Sequence, residues 1–168
     1  NAVEMAISEI NASNLIPDRR LAVIYEDGKC SGKDATVVAQ KLVNIDRVKV
    51  ILGGCCSTET LSAAPVAEKA GVILFSAFSS NPAITGAGDF IFRTAPNDSE
   101  GGKAAARLAA GYSGLKKVAV ISENTDYALG FRKAFVEALP GYGLSLAGDE
   151  YYNSSENDLR SILLRLKA

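Results

Sequence analysis

The chain has 168 residues, of which 48% are hydrophobic and 22% charged, and its formal net charge is −1. This length suffices for one ordinary domain, or for two small lobes, with a hydrophobic core. The near-neutral charge and the lack of a basic cluster argue against a nucleic-acid partner or an anionic membrane surface, because phosphate binding needs concentrated lysine and arginine.

The residue types present also exclude several kinds of catalytic and metal site. Histidine is absent, which removes the commonest general base and metal ligand and rules out a Ser-His-Asp triad within this chain. The three cysteines form no C-x-x-C motif, so we expect no structural zinc ion. The longest apolar runs are far shorter than the ~20 residues of a bilayer span, which predicts a soluble chain.

The hydrophobic periodicity predicts helices and strands that alternate along the chain. Helices are expected over residues 1–11, 31–44, 58–70, 97–112, 124–139 and 159–166, and strands over residues 21–25, 48–52, 72–75, 90–93, 118–121 and 144–152. Three of these helices are expected to be capped by polar residues, in SGKD (31–34), NDSE (97–100) and NTD (124–126). Such alternation is typical of an α/β fold with parallel sheets and right-handed crossovers. We expect a first lobe over residues 1–95 and the start of a second lobe over residues 96–168, with the boundary in residues 94–97.

Two polar turns follow consecutive predicted strands, at residues 53–57 (GGCCS) and residues 76–80 (SAFSS). Ligands of open α/β sheets bind outside these carboxyl ends of the strands. The Ser57 hydroxyl and the free N–H groups of the next helix would bind an anion, whereas helix capping alone would also explain this serine. Ser79 and Ser80 add donors, and exposed carbonyl groups there would accept from an ammonium group. The two turns together favour a small zwitterion such as an amino acid.

The cysteines leave two readings open. Cys30 and Cys56 each follow a predicted strand at the same end of the sheet, so a disulfide between them is geometrically reasonable. It would contribute about 3–4 kcal/mol in the chain-entropy description and would indicate an oxidising compartment, with Cys55 unpaired. The alternative is three buried, reduced cysteines in a cytosolic protein.

Tyr127 stands in the first turn of a predicted helix that follows a buried strand of the second unit. An aromatic side chain there could close over a ligand held by the first unit, or it could be an ordinary surface residue. We find no catalytic constellation, since Asp27, Glu59, Glu123 and Asp126 have no recognisable nucleophile or base beside them. The chain also lacks a Walker A or dinucleotide fingerprint, so no cofactor is expected.

Several segments resemble the type I periplasmic binding proteins, in particular the branched-chain amino-acid-binding branch that serves ABC transporters. These segments are NAVEMAISEIN, YEDGKC, ILGGCCSTET, APVAEKAGVILFSAFSSNPAIT, GDFIFRTAPND and KKVAVISENTDYALGF, and they run in family order across nearly all of the chain. The resemblance implies two Rossmann-like lobes with parallel sheets flanked by helices, both incomplete in this chain. It also implies that the ligand lies in the cleft between the lobes.

The resemblance assigns roles to individual residues. Ser57 matches the serine that binds the ligand carboxylate, and Ser80 matches the hydroxyl residue that contacts carboxylate and ammonium. Phe78 and Ser79 match positions that contribute backbone groups, although relatives often have a smaller residue than Phe78. Tyr127 matches the aromatic residue of the second lobe.

The resemblance also matches Cys30 and Cys56 to the disulfide of the first lobe, and it shows where this chain departs from its relatives. Relatives carry a strand before the first helix, at the centre of the first sheet, and continue well past the equivalent of the last residue. The sequence therefore resembles a fragment. Without that strand, the strands at residues 21–25 and 48–52 would have unpaired edges, so we expect a further segment, another chain or self-association to pair with them.

We interpret the chain as part of an extracytoplasmic solute-binding protein, not an enzyme. It would bind a branched-chain or other hydrophobic amino acid and interact with an ABC transporter permease, in the periplasm or outside the cell, either free or lipid-anchored. One alternative is the sensor domain of a receptor for amides, urea or aromatic acids. Another is a cytosolic flavodoxin-like enzyme or regulator. For the solute-binding protein we expect no cofactor, no metal ion and no nucleic-acid partner.

Overall fold

The computed structural model describes residues 2–167, which form six α-helices and five β-strands. The helices are α1 (Ala2–Ala12), α2 (Gly32–Asn44), α3 (Ser57–Ala70), α4 (Asp98–Ala110), α5 (Asp126–Ala138) and α6 (Arg160–Lys167). The strands are β1 (Val50–Leu52), β2 (Ile73–Ser76), β3 (Ile91–Arg93), β4 (Lys117–Glu123) and β5 (Ser145–Tyr152). Within residues 2–167, no helix has the length and apolar character needed to cross a bilayer.

The strands form two parallel sheets, which confirms the predicted α/β class. The first sheet has the order β1-β2-β3, with Ile51 opposite Leu74 and Phe75 opposite Phe92, and the second pairs β4 with β5. Parallel strands place their carboxyl ends at one edge of a sheet, so the turns that follow β1 and β2 are neighbours. The two sheets fall on either side of residues 94–97, and the lobe boundary itself stays a prediction.

Helix starts follow the predicted capping residues. The Ser31 side chain accepts a hydrogen bond from the Asp34 N–H at 3.3 Å, and the Thr125 side chain accepts from the Ala128 N–H at 3.3 Å. The Asn97 side chain likewise accepts from an N–H in the first turn of α4. Each bond satisfies a donor that has no partner within its own helix.

Small residues bring the helices of each unit close together. The first core consists of Ala39, Ala63, Ala64, Ala67, Val72, Leu74, Ile84 and Ile91. The second core has Ala106, Leu139 and Leu144, and α4 packs on α5 at Gly102, where an added Cβ would lie 2.6 Å from the Ala134 Cβ. Close packing of helices onto the sheets fixes the strand ends that carry the polar turns.

The strand predicted over residues 21–25 is wrong for the described structure, because this segment is irregular and pairs with no strand. It lines an open cleft of about 780 Å³ together with β1, and we call this cleft the edge slot. Val23, Tyr25, Val50 and Leu52 are among its lining residues. The segment has the β-branched and aromatic residues of a strand, but a strand also needs a hydrogen-bonded neighbour, and the edge slot separates it from β1.

Candidate functional site

The turns after β1 and β2 are joined through the carbonyl group of Gly54. This oxygen accepts hydrogen bonds from the hydroxyls of Ser76 at 2.6 Å, Ser79 at 2.8 Å and Thr60 at 3.3 Å. The Ser79 and Thr60 hydroxyl oxygens lie 2.8 Å apart, so one of the two protons is shared between this contact and the Gly54 carbonyl. All three hydroxyl residues are buried, so the network holds the two turns together as one unit. The Ser79 side chain is engaged within this network, and its role toward a ligand stays a prediction.

Ser57 is the first residue of α3 and offers hydrogen-bond donors. Ser57 is buried, with 2% of its surface exposed. Its hydroxyl oxygen accepts from the N–H of Asn81 at 3.2 Å, so the hydroxyl keeps one proton to donate. Within residues 2–167, the N–H groups of Ser57 and Thr58 have no protein partner, as expected for the first turn of a helix. Together with the positive end of the helix dipole, these donors form a site suited to a carboxylate.

The turn after β2 offers both hydrogen-bond acceptors and donors. The N–H groups of Phe78 and Ser79 both donate to the Ser76 hydroxyl, at 3.4 Å and 3.0 Å. Among residues 2–167, the N–H groups of Ala77 and Ser80 and the carbonyls of residues 77–79 have no protein partner and are left for an external one. The Phe78 side chain is 73% exposed, which places an apolar ring at the surface beside these carbonyls.

Ser80 connects the first unit to α4 of the second. Its hydroxyl donates to the Asp98 carboxylate at 2.8 Å, and its carbonyl accepts from the Asp98 N–H at 3.1 Å. Because the Ser80 hydroxyl donates its hydrogen bond to the Asp98 carboxylate, the lone pairs of the Ser80 oxygen can accept a hydrogen bond from an ammonium group. In the sequence, Asp98 is recognisable only as a helix-capping residue, and no signal distinguishes it from other residues of that type.

Tyr127 is brought to the same region by contacts of its neighbours in α5. The Asn81 side chain donates from Nδ2 to the carbonyl of Asp126 and accepts from the Ala83 N–H at 2.8 Å. Gly130 packs directly on Asn81. Tyr127 follows Asp126 in α5 and is 54% exposed, and its role toward a ligand stays a prediction. In the sequence, Asn81 is recognisable only as the first residue of an Asn-Pro pair that stops a helix.

The structure contains the disulfide between Cys30 and Cys56, with a Cα–Cα distance of 5.4 Å, and Cys55 is exposed and free. This confirms the predicted pairing and overturns the reading with three reduced cysteines. The sulfur atoms and a carboxylate oxygen of Glu59 lie within 4.8 Å of one another. A metal ion would need thiolates, which the disulfide removes.

The described groups therefore offer both donors and acceptors near Asn81. Ser57 and the start of α3 supply donors, whereas the Ser80 hydroxyl, Asp98 and the carbonyls of residues 77–79 supply acceptors beside the N–H groups of Ala77 and Ser80. A zwitterionic amino-acid headgroup has the complementary arrangement, with an anionic carboxylate and a cationic ammonium on one carbon.

Comparisons with known proteins also indicate ligand binding. The sequence profile described as "Receptor family ligand binding region" matches residues 1–168. The Leu/Ile/Val/Thr-binding protein of Salmonella typhimurium is 29% identical over 165 residues, which are 98% of this chain and 45% of that protein. The chain thus spans about half the length of the curated relatives it matches.

Two solved structures illustrate the range of bound ligands. The branched-chain amino acid transporter substrate binding protein of Streptococcus pneumoniae, in complex with isoleucine, is 30% identical with a TM-score of 0.81 and covers 98% of this chain and 47% of that chain. A solute binding protein of an ABC transporter from Rhodopseudomonas palustris, in complex with 3,4-dihydroxy benzoic acid, is 23% identical with a TM-score of 0.81. It covers 99% of this chain and 45% of the Rhodopseudomonas chain and shows similarity of fold.

Proposed function

The chain belongs to the receptor family of ligand-binding regions, and on that premise we propose that it is part of a solute-binding protein that holds an amino acid between two lobes. The observation that supports this most is the division of the site into donors at Ser57 and acceptors at Ser80 and Asp98. The ligand carboxylate binds at the start of α3, and its ammonium binds at the Ser80 oxygen and neighbouring carbonyls. The names of the most similar relatives favour leucine, isoleucine or valine.

We propose an ABC transporter permease as the partner and a location outside the cytoplasm, with the protein free or lipid-anchored. Relatives with 27–30% identity are branched-chain amino-acid-binding proteins, and the Streptococcus homologue is described as a transporter substrate binding protein. The disulfide between Cys30 and Cys56 supports an oxidising compartment. Binding without catalysis agrees with the names of the homologues, which are binding proteins.

An aromatic carboxylic acid is the second candidate ligand. Phe78 and Tyr127 are 73% and 54% exposed at the edge of the site and could contact an aromatic ring. The Rhodopseudomonas structure contains such an acid. An aromatic acid without an amino group would leave the acceptors at Ser80 and Asp98 without a cationic partner, which favours the amino acid.

Calorimetric titration of the full-length protein that contains this chain tests the proposal. We expect leucine, isoleucine or valine to bind more tightly than benzoate, and leucine more tightly than 4-methylpentanoate, which lacks the amino group. Ser80→Ala should weaken leucine binding by about 1–3 kcal/mol, because the hydroxyl faces the charged headgroup. The same substitution should change 4-methylpentanoate binding much less.

Ser113→Ala is the matched control, because this exposed serine precedes β4 at the opposite end of the second sheet. It should leave affinity unchanged. Equal leucine affinity for Ser80→Ala and the unchanged protein would remove Ser80 from the site. Tighter binding of benzoate than of every amino acid would replace the proposed ligand with the aromatic acid.

We also propose that the isolated 168-residue chain self-associates through the edge slot. Val50 and Leu52 are 54% and 59% exposed on the unpaired edge of β1, and α1, which lines the slot with Val3 and Ile7, has no buried residue. Apolar strand edges of this kind favour pairing between chains. Sedimentation velocity should show association that rises with concentration and decreases in Val50→Lys. A compact, stable monomer at all concentrations would contradict the proposal.

A further inference from the structure

Glu59 joins the same two chain segments as the disulfide, but by hydrogen bonds. Its Oε1 atom accepts from the Cys30 N–H at 3.0 Å, and its Oε2 atom accepts from the Cys56 N–H at 3.1 Å. Gly28 packs against the same carboxylate so closely that a side chain there would collide with it. A single side chain in the first turn of α3 thus holds the residue before Ser57 and the turn that contains Cys30.

The turn held by Glu59 has a backbone conformation that needs support. Lys29 and Cys30 have φ values of 54° and 49°, in the left-handed region that is unfavourable for L residues. The Lys29 N–H donates to the nearby Asp27 side chain at 2.9 Å, whereas the Cys30 N–H donates to Glu59 in the first turn of α3. Loss of that bond leaves the disulfide as the remaining link described between the turn and α3.

The hydrogen bond that Glu59 accepts from the Cys56 N–H also determines which donors remain at the start of α3. Because the Cys56 N–H is occupied, the N–H groups of Ser57 and Thr58 and the Ser57 hydroxyl are the donors left for a carboxylate. We propose that Glu59 is a positioning residue for the ligand carboxylate, which keeps the Cys56–Ser57 peptide in its binding geometry even when the disulfide is reduced. This inference rests on the proposed function of the site.

Removing the charge of Glu59 distinguishes two roles, because a purely electrostatic role and a positioning role predict opposite changes in ligand affinity. The carboxylate lies in the first turn of the helix that would bind an anionic ligand. If Glu59 affected binding only through its charge, Glu59→Gln would strengthen ligand binding by removing like-charge repulsion. Positioning predicts weaker binding, since glutamine has one acceptor oxygen where glutamate has two. Glu59→Asp keeps the charge but shortens the side chain, so it should also weaken binding.

The experiment measures leucine affinity of the full-length protein and of Glu59→Gln, each oxidised and reduced. A chelator is present, because two thiols beside Glu59 could bind trace metal. Reduction should weaken binding by the unchanged protein less than about threefold, since Glu59 still holds both amides. Oxidised Glu59→Gln should bind about tenfold more weakly, and its reduction should weaken binding more than the two separate effects predict.

Glu68→Gln is the matched control. Glu68 lies on the same helix, and its carboxylate also accepts from a backbone N–H, that of Phe90 at 2.9 Å, but far from Ser57 in the sequence of α3. It should change stability without changing leucine affinity or its dependence on reduction. Tighter leucine binding by Glu59→Gln, or equal affinity in all four states, would overturn the proposal.

Amide hydrogen exchange of the ligand-free protein separates this inference from the proposed function. The Cys30 and Cys56 amides should exchange faster in Glu59→Gln than in the unchanged protein, with the largest difference after reduction. If the protein binds no amino acid while these amides lose protection, the ligand assignment fails and the contact made by Glu59 stands. Unchanged protection of both amides in reduced Glu59→Gln would show that Glu59 does not hold the loop.

Discussion

Gly54→Ala is expected to remove ligand binding and to lower the free energy of unfolding by about 2–4 kcal/mol. Gly54 has a φ of 72°, which an L residue adopts only with strain, and an added Cβ would lie 3.1 Å from the Thr60 Cα. Relief of that clash would move the carbonyl that accepts from Ser76, Ser79 and Thr60. Both polar turns would then lose the contact that joins them.

Gly53→Ala provides the control at the adjacent position. An added Cβ there meets no atom within 4 Å, and its φ lies outside the left-handed region. Chemical denaturation and leucine calorimetry of both variants separate a general effect of alanine in this loop from the specific effect at Gly54. Similar stability and affinity for the two variants would show that the Gly54 carbonyl network does not organise the site.

Local patterns in the sequence were sufficient to predict most of the fold. Helix periodicity and the capping residues Ser31, Asn97 and Thr125 depend on contacts within a few residues, and the structure confirms them. The polar turns could be placed because parallel strands end at one edge. The prediction of a strand at residues 21–25 is wrong, because strand formation depends on a hydrogen-bonded neighbour as well as on the composition of the segment.

The chemistry of the site depends more on contacts between distant residues, which single-sequence reasoning does not reveal. Glu59 bonds to Cys30 over 29 positions, and Ser80 bonds to Asp98 over 18. Asn81 reaches α5 over 45 positions. The sequence placed Ser57 and Ser80 in one region, but the proton direction at each hydroxyl follows only from partners in the folded chain. These partners give Ser57 the character of a donor and Ser80 that of an acceptor.

Gly130→Ala should weaken leucine binding by about 1–3 kcal/mol, or roughly 5- to 150-fold, by opposing contact between the lobes. A Cβ at this position would lie 2.7 Å from the Asn81 Nδ2 and 2.9 Å from the Pro82 Cδ. These atoms belong to the turn that carries Ser80, whereas Gly130 belongs to the helix that carries Tyr127. Since the proposed ligand binds between these elements, a wider separation removes part of its contact.

The position of the added Cβ in Gly130→Ala predicts a larger effect on ligand affinity than on stability. The three atoms nearest to an added Cβ at Gly130 all belong to the turn of the first unit, so affinity should fall more than the unfolding free energy of the ligand-free protein. With saturating leucine, small-angle scattering should give a larger radius of gyration for Gly130→Ala than for Gly86→Ala, whose added Cβ meets no atom within 4 Å. Equal affinity and equal compaction in the two variants would show that the lobes do not need this contact to hold the ligand, and the Asn81 bridge would then be a feature of the unliganded protein alone.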